Sequence, residues 1–266
     1  MCGLARSKNG WRHTGAQLPG NHRLWKRRLK KLYNNLLWIG FILLDLGLVI
    51  LIYRFFGKNG LYVVIVASII AANIMVVKTV EIFGLVATLG NILYGSIFLA
   101  TDILTEVYGK KAARRGVWFG FIGMALATLW MQIGLKFIPH ASDFAQGSLV
   151  TIFSILPRIA AASLIAYLAS QHHDIWAFLF WKKKTQGRFL WLRNNASTMV
   201  SQAIDSVIFT SIAFWGVFDT STWLEILLST YLLKLAIAAV DTPFLYLAKH
   251  LSRGVIKREQ AAAGLD

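Results

Sequence analysis

The chain has one cysteine, Cys2, among its 266 residues, so no internal disulfide can form and no CxxC redox or metal motif exists. Charge is scarce as well: charged residues make up 15% of the chain against 56% hydrophobic, and the mean hydropathy is +0.56. A soluble globule of that composition would leave too many apolar side chains facing water, which excludes a soluble enzyme and a disordered chain alike. No GxxxxGK[ST] phosphate loop, HExxH, GxSxG or Cys/His cluster occurs, so ATP hydrolysis through a phosphate loop and metal-dependent or serine hydrolysis are not expected, nor is a cofactor or a metal. Of only four prolines, Pro157 stands inside an apolar block and marks an expected kink, where a broken helix exposes backbone groups to a solute.

What the chain does have is apolar sequence in blocks of about 18–25 residues, each long enough at about 1.5 Å per residue to cross a hydrocarbon core of roughly 30 Å. Hydropathy marks seven spans near 36–56, 60–77, 83–101, 116–138, 148–169, 197–218 and 222–250. The expected fold is an all-α, multi-pass protein of the cell membrane. Residues 1–35 read as a basic, disordered arm without signal-peptide character, and 36–56 as an extra N-terminal transmembrane helix. Residues 60–250 form the expected six-helix core and 251–266 a cytoplasmic tail.

The formal net charge is +16. The cations fall in alternate connections: Arg54 and Lys58; Lys110, Lys111, Arg114 and Arg115; Lys182, Lys183, Lys184, Arg188 and Arg193; Lys249, Arg253, Lys257 and Arg258. This pattern places the C-terminus in the cytoplasm and assigns the charge to lipid headgroups and topology rather than to nucleic acid. The basic arm conflicts with it, because seven spans put the arm outside.

An ionisable side chain in mid-span costs about 2.5–3.5 kcal/mol on insertion scales and must face protein or a wet cavity. Arg158, Asp205, Lys234 and Asp241 are four such groups and sum to zero charge. Asp205 and Asp241 lie at one depth, roughly 12–14 Å from the cytoplasmic end, with Arg158 and Asn91 near the midplane. In the sixth span Asn194, Thr198, Ser201 and Asp205 make one polar stripe, bordered by Gln202. Thr88, Asn91, Gly95 and Asp102 do the same in the third span, and Thr230, Lys234, Ala238 and Asp241 in the seventh. A cavity among three such ridges suits a small, flat solute with several hydrogen-bonding groups. The same four charges would also serve as two structural ion pairs that fix helix register, and both readings stay open. Asp45 reads as a partner for Arg54 or as a sign that the first span is misplaced, rather than as a site, and His172, His173 and Asp174 as a solvated loop. Asp102 and Glu106, spaced i, i+4, read equally as a metal or proton site or as partners of the adjacent Lys and Arg.

The run VATLGNILYGSIFLATDILTEVYGKKAARR at 86–115 closely resembles the queuosine precursor transporter family, also called vitamin-uptake-transporter-like. So do PRIAAASLIAYLASQ at 157–171, RNNASTMVSQAIDSVIF at 193–209 and LKLAIAAVDTPFLYL at 233–247. The resemblance implies a six-helix core similar to the substrate-binding subunits of energy-coupling-factor vitamin importers. It implies import of 7-cyano-7-deazaguanine and 7-aminomethyl-7-deazaguanine as small-molecule substrates. The matching positions are Asp102 and Glu106 as gating or structural groups, and Arg158, Asn195, Ser201, Gln202, Asp205, Lys234, Asp241 and Thr242. A deazaguanine offers a ring N–H beside an exocyclic amine to one carboxylate, Asp205 or Asp241, and a carbonyl to Gln202, Arg158 or Lys234. A solitary carrier is the first expectation. The alternative is a binding subunit docked on a separate energising module through the small-residue face of Ala67 and Ala71, and a homo-oligomer is also open.

Overall fold

The computed structural model describes residues 21–154, 156–216 and 219–262. The first twenty residues of the basic arm and the last four of the tail lie outside the described residues. Helix α1 (Asn21–Met75) already begins inside the segment expected to be an arm. It is interrupted by Gly57, whose φ of 56° and ψ of −137° are not helical. There the chain doubles back. A Cβ on Gly60 would press on the Ile52 carbonyl, and Asn34 and Asn35 at the start of α1 bond Glu81 and Phe83, which follow its end. The spans expected at 36–56 and 60–77 are therefore two antiparallel arms of α1.

Strands β1 (Thr79–Ile82) and β2 (Leu85–Thr88) form a small antiparallel hairpin, Ile82 facing Leu85, turned by Phe83 and Gly84 with φ of 51° and 82°. Two consecutive positive φ values give the tight turn whose twist matches that of the strands. The span placed at 83–101 is corrected accordingly: its first residues are strand, because the β-branched and polar run TVEIFGLVAT pairs with itself. The helix that follows, α2 (Gly90–Ile103), is buried along its whole length and ends in a π-helical turn, Leu104–Tyr108. It reaches its place because Gly90 has no side chain. A Cβ there would strike the Ala72 carbonyl on α1.

Around α2 stand α3 (Lys110–Gly134), the bent pair α4 (Gln146–Phe153) and α5 (Leu156–Lys184), then α6 (Leu190–Phe214) and α7 (Thr220–Ala262). The bend between α4 and α5 is 44° and falls directly before Pro157, which occupies the first turn of α5, where a missing N–H costs nothing. Helix α5 runs fifteen residues beyond the span expected to stop at 169, and α7 continues to Ala262 through the segment expected to be a tail.

Among the described residues, α1, α3 and α7 are long and apolar enough to cross a membrane, and the bent α4–α5 pair makes a fourth candidate. Helix α6 is polar for a different reason. Its Arg193, Asn194, Ser197, Thr198, Ser201, Gln202, Asp205, Ser206 and Thr210 are buried, while Met199, Val200 and Val207 are exposed. Polar residues inside and apolar residues outside are the reverse of a water-soluble helix and suit a lipid surround. The molecule is an all-α, multi-pass membrane protein.

Candidate functional site

Two buried polar regions follow one another along the inner face of α6. At the first, Asp205 Oδ2 accepts a hydrogen bond from Lys234 Nζ of α7, both side chains being 3% exposed. Ser170 of α5 donates to Asp205 Oδ1 at 3.2 Å. The Lys234 ammonium also lies 4.7 Å from the centre of the Tyr94 ring, within cation–π range. Asn73, Asn91, Ser163 and Phe209 complete the walls. The space they leave is about 10 Å³, room for about one water molecule and none for a purine-sized base. The wet pocket expected from the sequence is closed here, because Lys234 and Asp205 satisfy each other.

One turn along α6 the composition changes. Ser201 donates to Asp174 Oδ1 at 3.0 Å, and its hydroxyl is also 3.0 Å from His173 Nδ1. The serine rungs are reciprocal: Ser170 of α5 reaches Asp205 of α6, and Ser201 of α6 reaches Asp174 of α5. Asp174 lies within hydrogen-bond reach of Asp102 on α2. Asn194 Nδ2 donates to Asp241 Oδ1 of α7 at 2.9 Å and reaches Thr242 Oγ1 at 3.2 Å, which Asn195 also reaches at 2.9 Å. Asp102, Asp174 and Asp241 are each no more than 1% exposed.

A third arrangement closes the end of the bundle that carries the basic clusters. Glu106 receives Arg193 of α6 at 2.5 Å, Lys182 of α5 at 2.8 Å and Lys249 of α7 at 2.8 Å. Burial acts to raise its pKa, but the hydrogen bonds and charges of Lys182, Lys249 and Arg193 prevail and hold it below the ordinary carboxylate value. Beside it, Tyr108 donates to Glu259 Oε2 at 2.9 Å, and Glu259 Oε1 accepts from the Lys58 backbone N–H at 2.6 Å, bracing the turn at Gly57.

The structure thus gathers Asn91, Asp205 and Lys234 in one place, and Ser201, Asn195 and Asp241 in the ladder next to it. Gln202 is buried on the same helix, its Oε1 without a donor among the described residues. Arg158 is elsewhere. Its guanidinium is exposed and donates to the Ile212 and Trp215 carbonyls at 2.9 and 3.0 Å, because the break before Pro157 starts α5 at the far end of α6. Asp45 faces Ser96 of α2 rather than Arg54. Asp174 is not in a solvated loop: it is fully buried within α5. The signal was available in the i, i+4 spacing of Ser170 and Asp174, continuing the helical period past the polar pair His172–His173. Arg193 and Lys182, placed among loop cations, are the partners of Glu106. Among the described residues no group of three or more His, Cys, Asp or Glu side chains is placed to hold a metal ion.

The family described as "Putative vitamin uptake transporter" matches residues 88–248. A Bacillus subtilis (strain 168) protein named "Probable queuosine precursor transporter" is 46% identical over 221 residues, which are 83% of this chain and 96% of that protein. The Escherichia coli (strain K12) "Queuosine precursor transporter" is 33% identical over 175 residues, 65% of this chain and 76% of its own. A Haemophilus influenzae protein, also named "Probable queuosine precursor transporter", is 28% identical over 162 residues, 59% of this chain and 66% of its own. No solved structure matches the chain.

Proposed function

We propose that this chain, which belongs to the vitamin uptake transporter family, carries queuosine precursors across the cell membrane. It is a transporter and not an enzyme, as its relatives are. The substrates proposed are 7-cyano-7-deazaguanine and 7-aminomethyl-7-deazaguanine, taken up toward the cytoplasm. The architecture proposed is a six-helix core over 60–250, made of the second arm of α1, then α2, α3, the α4–α5 pair, α6 and α7, with the first arm of α1 as the added helix. The burial of α2 at the centre of the other helices supports this reading.

The observation that carries the proposal is the Asp205–Lys234 pair over the Tyr94 ring. A deazaguanine presents two parallel N–H donors and, on the same edge, a carbonyl. A carboxylate beside an ammonium is the complementary pair, and both charges stay compensated when the base replaces the direct contact. Tyr94, released from the ammonium, can then lie against the ring. Asn91 is on the wall of this space, and Gln202, three residues before Asp205 on α6, keeps a buried acceptor without a donor among the described residues. Because about 10 Å³ cannot hold the base, its entry requires Lys234 and Asp205 to part, so binding and opening are one event. Asp205→Asn should abolish uptake of radiolabelled 7-cyano-7-deazaguanine in cells lacking their own importer while the protein still inserts in the membrane. Undiminished uptake by that variant would remove Asp205 from the site.

A second reading has one observation in its favour: Ala67 is exposed and Ala71 half-buried on the second arm of α1, a small-residue face open to a docking helix. Under it the chain is the binding subunit of an ATP-driven importer. Uptake by the chain alone, in a host without an energising module, separates the two.

A further inference from the structure

The mechanism above uses Asp205 and Lys234 and leaves three buried carboxyl groups without a task. Asp102, Asp174 and Asp241 come from three different helices, α2, α5 and α7, and converge on the inner face of α6. Among the described residues no lysine or arginine pairs with any of them, and the imidazole of His173 is the basic group beside Asp174. The neighbouring cations are engaged elsewhere: Lys234 with Asp205, and Lys182, Arg193 and Lys249 with Glu106. The groups that face the Asp102–Asp174 pair are Asp241 of α7, Glu106 at the end of α2, His173 of α5, and Ser197 and Ser201 of α6. Neither oxygen of Asp102 has a donor among the described residues, nor has Asp174 Oδ2 or Asp241 Oδ2. Two further polar atoms in the same place are equally short of partners. Among the described residues, Asn194, whose amide nitrogen holds Asp241, has its Oδ1 buried without a donor, and Thr198, one turn along the same stripe, has its hydroxyl buried and unpaired.

Two ionised carboxylates within hydrogen-bond reach in a medium of low dielectric repel each other, and neither can donate to the other. The arrangement becomes satisfied when one proton sits between them. Among the described residues no group of three His, Cys, Asp or Glu side chains is placed to hold a metal ion, so a proton is the occupant argued for. The reciprocal serine rungs then tie the two regions together, because a change at Asp174 alters what Ser201 donates to, and Ser170 on the same helix holds Asp205.

We infer that the Asp102–Asp174 carboxyl pair is a proton-binding site that couples base transport at Asp205 and Lys234 to the proton gradient. This rests on the transport reading above. One proton taken up from the acidic side binds the pair with the base, and is released with it to the cytoplasm. No bond is made or broken apart from that protonation.

The test uses the full chain in proteoliposomes with 7-cyano-7-deazaguanine as probe. Exchange of labelled for unlabelled base without a gradient reads transport alone, and wild type and Asp174→Asn should both exchange. With the interior one pH unit more alkaline, wild type should accumulate the base up to about tenfold, the ratio set by one proton per base, and Asp174→Asn should not accumulate it. Exchange by wild type without any response to the pH gradient would overturn the coupling and leave the transport reading standing. So would accumulation driven by a sodium gradient in its place, or an equal pH response from Asp174→Asn. If wild type does not exchange the base at all, the transport reading fails, and the protonated pair is then read directly by infrared spectroscopy. A neutral carboxylic acid band at neutral pH that vanishes in Asp102→Asn and in Asp174→Asn supports the proton site. Its absence from wild type overturns it.

Discussion

Asp102 and Glu106 stand one helical turn apart in the same short segment, and their surroundings are opposite. Glu106 holds three cations from three helices, whereas Asp102 meets a second carboxyl group and, among the described residues, no cation. The difference lies in what the neighbouring helices supply at each level. Near the basic end of the bundle α5, α6 and α7 bring Lys182, Arg193 and Lys249; further inward they bring Asp174, Asn194 and Asp241. A carboxylate that balances buried cations fastens helices together, while one that meets another carboxylate is a place for a proton. The same residue chemistry, one turn apart, therefore serves two purposes.

The comparison can be broken by substitution. The largest effect is expected at Glu106→Gln. It leaves the fully buried Arg193 guanidinium without its anion, and removing one partner of such a pair costs about 3–5 kcal/mol. The thermal midpoint of the purified protein should fall clearly, and an unchanged midpoint would show that the three cations do not depend on Glu106. The pH dependence has a definite sign. A carboxylate held below its ordinary value of 4.5 contributes stability that is present above that value and lost as pH falls through the depressed native pKa. Acid should thus loosen wild type more than Glu106→Gln.

A smaller loss, about 1–3 kcal/mol, is expected for Gly57→Ala, since the new Cβ would occupy a left-handed turn and strike the Glu259 carboxylate. Gly47→Ala on the same arm, with nothing within 4 Å of the added Cβ, is the control and should be neutral or stabilising. Equal behaviour of the two would mean that the chain does not reverse at Gly57. Lys249→Ala should cost no more than about 1 kcal/mol, because that lysine is 45% exposed and its pairing is screened by solvent. The smallest change is expected at Asp102→Asn, whose amide can donate to Asp174 in place of the shared proton. Its midpoint should match or exceed that of wild type, and a loss as large as that of Glu106→Gln would erase the distinction between the two carboxylates.

The membrane class and the inward stripe of α6 are legible in the sequence because both are set by local composition and period. Buried groups in a membrane protein are conspicuous when they are ionic and stand inside an apolar run, as Asp205, Lys234 and Asp241 do. Asp174 escaped because it follows two histidines and precedes a basic cluster, so its neighbourhood reads as solvent. Only the packing of α5 on α6 turns that polar face inward. The depth assigned to Arg158 failed for a related reason. Counting residues along a hydropathy block assumes a straight helix, and the 44° bend before Pro157 moves the block's polar group to another level. The β-hairpin at 79–88 was hidden inside an apolar run that could as well have been helix. The partners of Glu106 are contributed from 76 to 143 residues away in sequence, a relation that no local pattern carries.

The most direct measurement of the central claim is a calorimetric titration of the purified full-length protein with 7-cyano-7-deazaguanine, on wild type, Asp205→Asn, Lys234→Met and Lys249→Ala. The account predicts saturable binding by wild type and by Lys249→Ala, and none by the two variants of the buried pair. Binding by Asp205→Asn and Lys234→Met with the affinity of wild type would contradict it.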